Sequence, residues 1–138
     1  MNTTRRPLLF SLFLPAGLLA GCGGDDASLT SEGLPRYAYR SEAALASYRY
    51  AVAQPDLLAR FPCYCGCAKL GGFENLRDCF RNAAGQFNSH GANCETCTDE
   101  ALDAKKMQAA GRPLGDIRRT IDATYRGRGV PTNTPPVD

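Results

Sequence analysis

The sequence predicts a small, mostly α-helical domain with an irregular cysteine-rich centre. Two observations indicate helices: apolar residues recur at spacings of three and four behind residues that cap helices, and the alternating apolar runs of a sheet are absent. A third observation defines the centre, because six cysteines fall within one 35-residue window: Cys63, Cys65, Cys67, Cys79, Cys94 and Cys97. We expect the chemistry of the chain in this window.

The first 21 residues resemble an export signal. Arg5 and Arg6 precede an apolar stretch over 8–19, which is too short to be a good membrane span. The sequence Leu-Ala-Gly-Cys at 19–22 then resembles a bacterial lipobox, at which signal peptidase cuts before an acylated cysteine. We therefore expect a lipoprotein signal peptide over 1–21 and a mature protein in the cell envelope, anchored to a membrane through lipidated Cys22 and facing the extracytoplasmic side. An ordinary secretory signal with a chance cysteine is the alternative.

The charge balance argues against a nucleic-acid partner. The chain has 16 Lys plus Arg and 14 Asp plus Glu, and removal of Arg5 and Arg6 with the signal would leave 14 of each. No basic block or aromatic-interleaved basic stripe remains, so the electrostatic footprint that nucleic-acid binding needs is missing.

Composition also predicts the domain boundaries. Residues 22–35 are small and polar and are expected to be a flexible tether after Cys22. Residues 128–138 are rich in Pro, Thr and Gly and are expected to be a disordered tail. The remainder, 36–127, is long enough for one cysteine-rich helical domain and too short for two.

Five short helical segments are expected within this domain. The first follows Ser41 and the fourth follows Thr98, because hydroxyl side chains cap free helical amides well. Pro55 ends or kinks the first helix, and Gly111 stops the fourth. The expected ranges are 42–53, 56–61, 74–82, 99–110 and 116–126.

The cysteines divide into three groups by spacing. The side chains of residues i, i+2 and i+4 in an extended segment point to the same face. We therefore expect the sulfurs of Cys63, Cys65 and Cys67 to lie together, and Gly66 allows a close approach or a bend there. The CxxC pair Cys94 and Cys97 comes just before a predicted helix start, where the helix dipole favours a thiolate. Cys79 lies between the two groups on the predicted 74–82 helix.

Six such thiols support three interpretations. In the first, they ligate a thiophilic metal, copper or zinc, for storage, delivery or sensing. The partners would then be a metal donor or acceptor protein. We favour this hypothesis, because adjacent sulfurs pair poorly in disulfides. They can instead form three disulfides that staple a structural or interaction domain. A less favoured interpretation is a thiol–disulfide redox protein, although the strand and helix alternation of thioredoxin-like folds is not visible.

Other reactive residues give weaker signals. His90, the sole histidine, lies four residues before Cys94 and can complete a mixed sulfur and nitrogen site, but an exposed loop histidine is the simpler interpretation. Asp78 and Glu95 lie near the thiols and are interpreted as surface carboxylates rather than acceptors for ligand hydrogen bonds. No GxSxG elbow and no phosphate-binding glycine loop occurs, so an enzyme is not expected.

The cysteine motifs carry a family resemblance. The run Pro62-Cys63-Tyr64-Cys65-Gly66-Cys67 is followed by Asp-Cys-Phe at 78–80, by Asn-Cys-Glu-Thr-Cys-Thr-Asp-Glu-Ala at 93–101 and by the helix at 116–125. This pattern resembles the PCYCGC-motif lipoprotein family of bacteria, and the hexapeptide is highly specific. The resemblance covers most of the mature domain and agrees with the lipobox. It implies little about activity, because the biochemistry of the family is uncharacterised.

Overall fold

Four α-helices surround a cysteine-rich centre in the computed structural model, which describes Met1 and residues 28–137. They are α1 (Glu42–Ala53), α2 (Pro55–Leu58), α3 (Glu95–Ala109) and α4 (Leu114–Tyr125). Helix α1 packs on α3, and α3 packs on α4. The connecting segments of the described part contain short 3-10 helices at Arg36–Arg40, Cys67–Leu70, Leu76–Cys79 and Gly91–Asn93, and it has isolated bridges but no strand. The predicted mostly α-helical class is confirmed.

Helix α1 begins where its cap predicts. Ser41 has an extended backbone, and its Oγ accepts a hydrogen bond from the Ala44 amide at 3.0 Å. The buried side of α1 is centred on Tyr48, which is fully buried and contacts the rings of Tyr37 and Phe80 edge-on. This helix therefore forms one wall of the core beside the cysteine-rich segment.

Helix α3 begins earlier than predicted. Its first residue is Glu95 and its N-cap is Cys94, so the expected start at residue 99 is wrong. Thr98 is not the cap: its Oγ donates to the carbonyl of Glu95, one turn earlier in the same helix. A hydroxyl can bond either a free amide or a preceding carbonyl, and the sequence does not distinguish these roles. The shift places Cys97 inside the first turn of α3.

The helix predicted over 74–82 is reduced to one 3-10 turn, Leu76–Cys79. The chain then turns back, with an isolated bridge between Arg81 and Phe87, and the Asn88 amide donates to the Phe80 carbonyl at 2.8 Å. The apolar residues that suggested a helix are still buried, since Leu76, Cys79 and Phe80 are all fully inaccessible. Burial of an apolar cluster did not require a longer helix.

The residues before α1 differ from the expected tether. Residues 28–35 fold back on themselves: the Thr30 amide donates to the Leu34 carbonyl at 2.8 Å, and the Arg36 amide donates to the Ser28 carbonyl at 3.1 Å. Leu34 is buried in the core. The folded domain therefore includes the eight residues before position 36.

The carboxyl-terminal segment also differs from the expected disordered tail. Thr132 and Thr134 are buried, and the Thr134 hydroxyl donates to the Glu74 carbonyl at 2.7 Å. Arg118 of α4 fixes the segment by donating to the carbonyls of Pro135 at 2.8 Å and Thr134 at 3.4 Å. A sequence rich in Pro and Thr has little apolar surface of its own, but its backbone and hydroxyl groups hydrogen-bond to the domain. We call residues 129–135 the tail strap.

Residues 2–21 of the predicted signal peptide lie outside the described residues, and so does Cys22. Within the described part, none of the helices has the length and apolar character needed to cross a membrane.

Candidate metal centre

Six thiols meet in the interior of the domain. Among the described residues, all six cysteines of the window are free. The sulfur of Cys63 lies 3.3 Å from that of Cys65 and 3.5 Å from that of Cys97, and the Cys67 and Cys79 sulfurs are 3.9 Å apart. A disulfide bond is about 2.0 Å long, so none of these pairs is bonded. Two thiolates that each lie about 2.3 Å from one tetrahedral ion are about 3.8 Å apart, so the separations fit ligands that share an ion.

The first three cysteines are brought together by a curled loop. Gly66 has a left-handed backbone with φ of 87°, and Cys67 begins the 3-10 helix directly after it. Residues two apart along a flat strand are separated by about 6.6 Å, yet the Cys63 and Cys65 sulfurs are only 3.3 Å apart. All three sulfurs lie within 4.8 Å of one another. The predicted grouping is therefore present, and it takes the form of a bend rather than a straight row.

The tail strap fixes the backbone of this loop. The Cys63 amide donates to Thr132 Oγ1 at 2.9 Å, and the Thr132 amide donates back to the Cys63 carbonyl at 3.0 Å. Gly129 lies so close to the loop that an added Cβ would be 2.7 Å from the Tyr64 carbonyl oxygen and from the Gly66 amide nitrogen. The strap thus covers one side of the loop, and only glycine fits at position 129.

The CxxC pair lies at the start of α3. Cys94 is the N-cap and is half-buried, whereas Cys97 is fully buried in the first turn. The Thr98 amide donates to the Cys94 carbonyl at 3.2 Å, which closes that turn. Both sulfurs lie within 4.8 Å of that of Cys65.

His90 joins the cluster, which the sequence indicated only weakly. Its Nε2 lies 3.3 Å from the Cys65 sulfur, and its ring packs against Phe73 with centroids 5.0 Å apart. The loop that carries it is anchored by the buried Tyr48 hydroxyl, which donates to the Asn88 carbonyl and accepts from the Ala92 amide. His90 is therefore a half-buried candidate ligand rather than a free loop residue.

Glu100 is a buried neighbour of the cluster that sequence reasoning missed. Its Oε1 accepts a hydrogen bond from the Tyr64 amide at 2.8 Å, while Oε2 has no hydrogen-bond partner within the described structure. Burial raises the pKa of Glu100 to about 10. The sequence spacing could have indicated this position, because Glu100 lies three residues after Cys97 and therefore on the same face of α3.

The crowded thiols shift one another's acidity. The pKa of Cys65 is lowered, because neighbouring thiols, Cys63 foremost, donate hydrogen bonds to its thiolate. The pKa of Cys94 is raised to about 11, mainly by Cys65, and the pKa of Cys97 is raised most strongly by Cys63. One thiolate held by surrounding thiols is a good first ligand for a soft cation.

The remaining candidates have structural roles. Tyr64 is buried, and its hydroxyl donates to Asp122 of α4 at 2.9 Å. Asp78 accepts from the Glu74 amide at 2.9 Å and pairs with Arg77 at 2.8 Å. Glu95 is exposed. The predicted interpretation of Asp78 as a surface carboxylate is wrong, because it is buried in the turn that precedes Cys79.

Four overlapping groups of the cluster have ligand atoms within 4.8 Å of one another. The groups are Cys65, His90, Cys94 and Cys97; Cys63, Cys79 and Cys97; Cys63, Cys65 and Cys67; and Cys67, Cys79 and His90. The fold and this site define a small helical protein whose centre is a cysteine–histidine cluster able to hold a metal ion.

The comparison with family models identifies the family. The model described as "Protein of unknown function with PCYCGC motif" matches residues 24–137, so the chain belongs to this family. The match extends through the tail strap as well as the cysteine motifs. No significant match was found among curated proteins or among solved structures.

Proposed function

We propose that this protein binds a thiophilic metal ion, copper or zinc, through its clustered cysteines, in a storage, delivery or sensing role. The observation that carries the proposal is the convergence of six free thiols and one imidazole from four separate segments of the chain on a space of a few ångströms. Thiolate and imidazole are the ligands that zinc and copper prefer, and a thiolate-rich set favours copper(I) or zinc over hard cations.

The same arrangement disfavours the disulfide alternative. A domain stapled by three disulfides has its sulfurs in bonded pairs, each about 2.0 Å apart. Here Cys63 has two sulfur neighbours at nearly equal distances, 3.3 Å to Cys65 and 3.5 Å to Cys97. One sulfur with several equivalent neighbours is typical of a metal cluster.

The proposed location follows from the sequence. The lipobox at 19–22 supports a mature protein attached through lipidated Cys22 to a membrane and exposed on its extracytoplasmic side. In that position the protein would receive metal from, or pass it to, other proteins of the cell envelope.

The test is metal stoichiometry in the cluster variant Cys65→Ser. The reduced chain is loaded separately with Zn²⁺ and with Cu(I) under anaerobic conditions, desalted, and assayed by elemental analysis and thiol titration. We expect bound metal in the native chain and less in Cys65→Ser, because Cys65 belongs to two of the overlapping groups. The matched control is Ser89→Ala, an exposed change in the loop that carries His90, which should leave the stoichiometry unchanged.

Two results would overturn the proposal. Cys65→Ser could bind as much metal as the native chain, or the exported protein, purified without reductant, could contain neither metal nor free thiols. The second result would make the cysteines a disulfide framework.

A further inference from the structure

The seven ligand atoms can be divided into two sets, and the atoms of each set all lie within 4.8 Å of one another. The outer set is one four-member group of mutually close atoms: Cys65, His90, Cys94 and Cys97. The three remaining cysteines form the inner set, and their sulfurs also lie within 4.8 Å of one another: Cys63, Cys67 and Cys79. Every donor is used once in this division.

The two sets have different chemistry. The outer set is three thiolates and one imidazole, the donor set of a closed tetrahedral zinc site. The inner set has three thiolates, so a tetrahedral ion there needs a fourth ligand. Cys97 supplies a candidate, since its sulfur lies 3.5 Å from that of Cys63 and within 4.8 Å of that of Cys79.

The number of donors in the cluster fits two tetrahedral ions. Two tetrahedral ions have about eight ligand positions in total. Seven donors fill those positions if one thiolate bridges both ions. Three members of the outer set share a group with two inner cysteines, namely Cys65, His90 and Cys97, and of these Cys97 is the fully buried thiolate. We propose that the cluster binds two tetrahedral ions of the zinc class, with His90 as a ligand of the outer ion and Cys97 as the bridging thiolate. This inference rests on the proposed metal-binding function.

The two ligand sets differ in burial, so we expect the two ions to exchange with solvent at different rates. The inner cysteines are at most 2% exposed, and the tail strap holds the loop that carries two of them. Three of the four outer ligands are half-buried: Cys65, His90 and Cys94. The outer ion is therefore the one that enters and leaves first, and the inner ion is retained.

The experiment measures zinc content and zinc release. The full chain is reduced, loaded with excess Zn²⁺ and desalted, and release to a coloured chelator is then followed over time. We expect two zinc ions per chain, one released quickly and one slowly. His90→Gln should halve the zinc content and remove the fast phase, whereas Cys79→Ser should remove the slow phase. Ser89→Ala, an exposed change in the same loop, is the matched control and should retain two ions.

X-ray absorption at the zinc edge tests the same assignment without any variant that could fail to fold. The native, fully loaded chain should show about 3.5 sulfur and 0.5 nitrogen ligands per zinc on average, and a zinc–zinc vector from the bridged pair. An all-sulfur shell, or the lack of a zinc–zinc vector, would overturn the inference.

The outcomes separate the two proposals. A single zinc ion per chain, or a His90→Gln variant that keeps two ions with native release rates, overturns the two-ion assignment and leaves metal binding in place. Binding of Cu(I) without binding of Zn²⁺ also overturns the two-ion assignment alone. A reduced chain that binds neither metal overturns both proposals.

Discussion

Glu100 shows at the residue scale how the cluster constrains its surroundings. A carboxyl group that is fully buried and has only one satisfied oxygen is costly to ionise. Its usual pKa of 4.5 is raised to about 10. In the metal-free protein the carboxyl is thus neutral at pH 7, while it still accepts from the Tyr64 amide and so fixes the loop between Cys63 and Cys65.

This raised pKa predicts that stability falls as pH rises. Between pH 4.5 and about 10, folded Glu100 keeps a proton that the unfolded chain has lost, so each pH unit lowers the free energy of unfolding by about 1 kcal/mol. Glu100→Gln keeps an acceptor for the Tyr64 amide but does not titrate. Denaturant unfolding of the reduced, metal-free protein at pH 6 and 8 should therefore show a smaller loss of stability in Glu100→Gln than in the native chain.

The matched control for this change is Glu95→Gln, on an exposed carboxylate of the same helix. It should leave the pH dependence as in the native chain. Equal pH slopes for the native chain and Glu100→Gln would show that Glu100 ionises normally in the folded state.

At the scale of elements, the centre depends on close contact between segments with little regular structure. The loop 88–93 that carries His90 packs against the 3-10 turn Leu76–Cys79 and the residue after it. A Cβ added to Gly91 would lie 2.5 Å from Phe80 Cδ1 and 2.8 Å from the Cys79 carbonyl oxygen. Since Phe80 is fully buried, its ring has little room to move away.

Gly91→Ala should therefore separate the His90 loop from the turn that carries Cys79. We expect a loss of about 1–3 kcal/mol in the free energy of unfolding, measured by denaturant titration, and a weaker zinc affinity, because ligands from both segments move apart. The control is Gly115→Ala in α4, where the added Cβ meets only Arg119 Nη1 at 3.4 Å. That change should stabilise the protein by about 0.5–1 kcal/mol. A neutral Gly91→Ala variant would mean that the loop adapts freely.

The regular elements were the more predictable part of the molecule. Helix α1 matches its predicted range because Ser41 and the apolar spacing are local signals, and the same holds for most of α4. The position of His90 depends on the hydrogen bond from the Tyr48 hydroxyl to the Asn88 carbonyl, 40 residues further along the chain. The order of the tail strap depends on Cys63 and Arg118. Such contacts are set by tertiary packing, and a single sequence carries no pattern for them.

At the scale of the whole molecule, a bound ion would join segments that the small core alone holds together. The ligands come from the curled loop, the Leu76–Cys79 turn, the 88–93 loop and the start of α3. The unfolded chain lacks this arrangement, so metal that binds the folded state stabilises it by mass action.

We therefore expect metal to raise the thermal unfolding midpoint. At free Zn²⁺ about 100 times the dissociation constant, the gain is about 3 kcal/mol, reduced by whatever affinity the unfolded thiols have. Calorimetry of the reduced chain with Zn²⁺ and with a chelator measures this difference. In Cys65→Ser, the difference between the midpoints with Zn²⁺ and with chelator should be smaller. Identical midpoints for the native chain in the two conditions would show that metal does not stabilise the fold.

The paired hydrogen bonds between Cys63 and Thr132 join residues 69 positions apart. During synthesis from the amino terminus, the loop that bears the first three thiols emerges long before the segment that covers it. Contacts of such long range form late, since the chain between them must first be ordered. The nascent protein therefore passes through a stage at which the thiols of this loop are open to oxidants and to metal, and docking of the tail strap reduces that exposure.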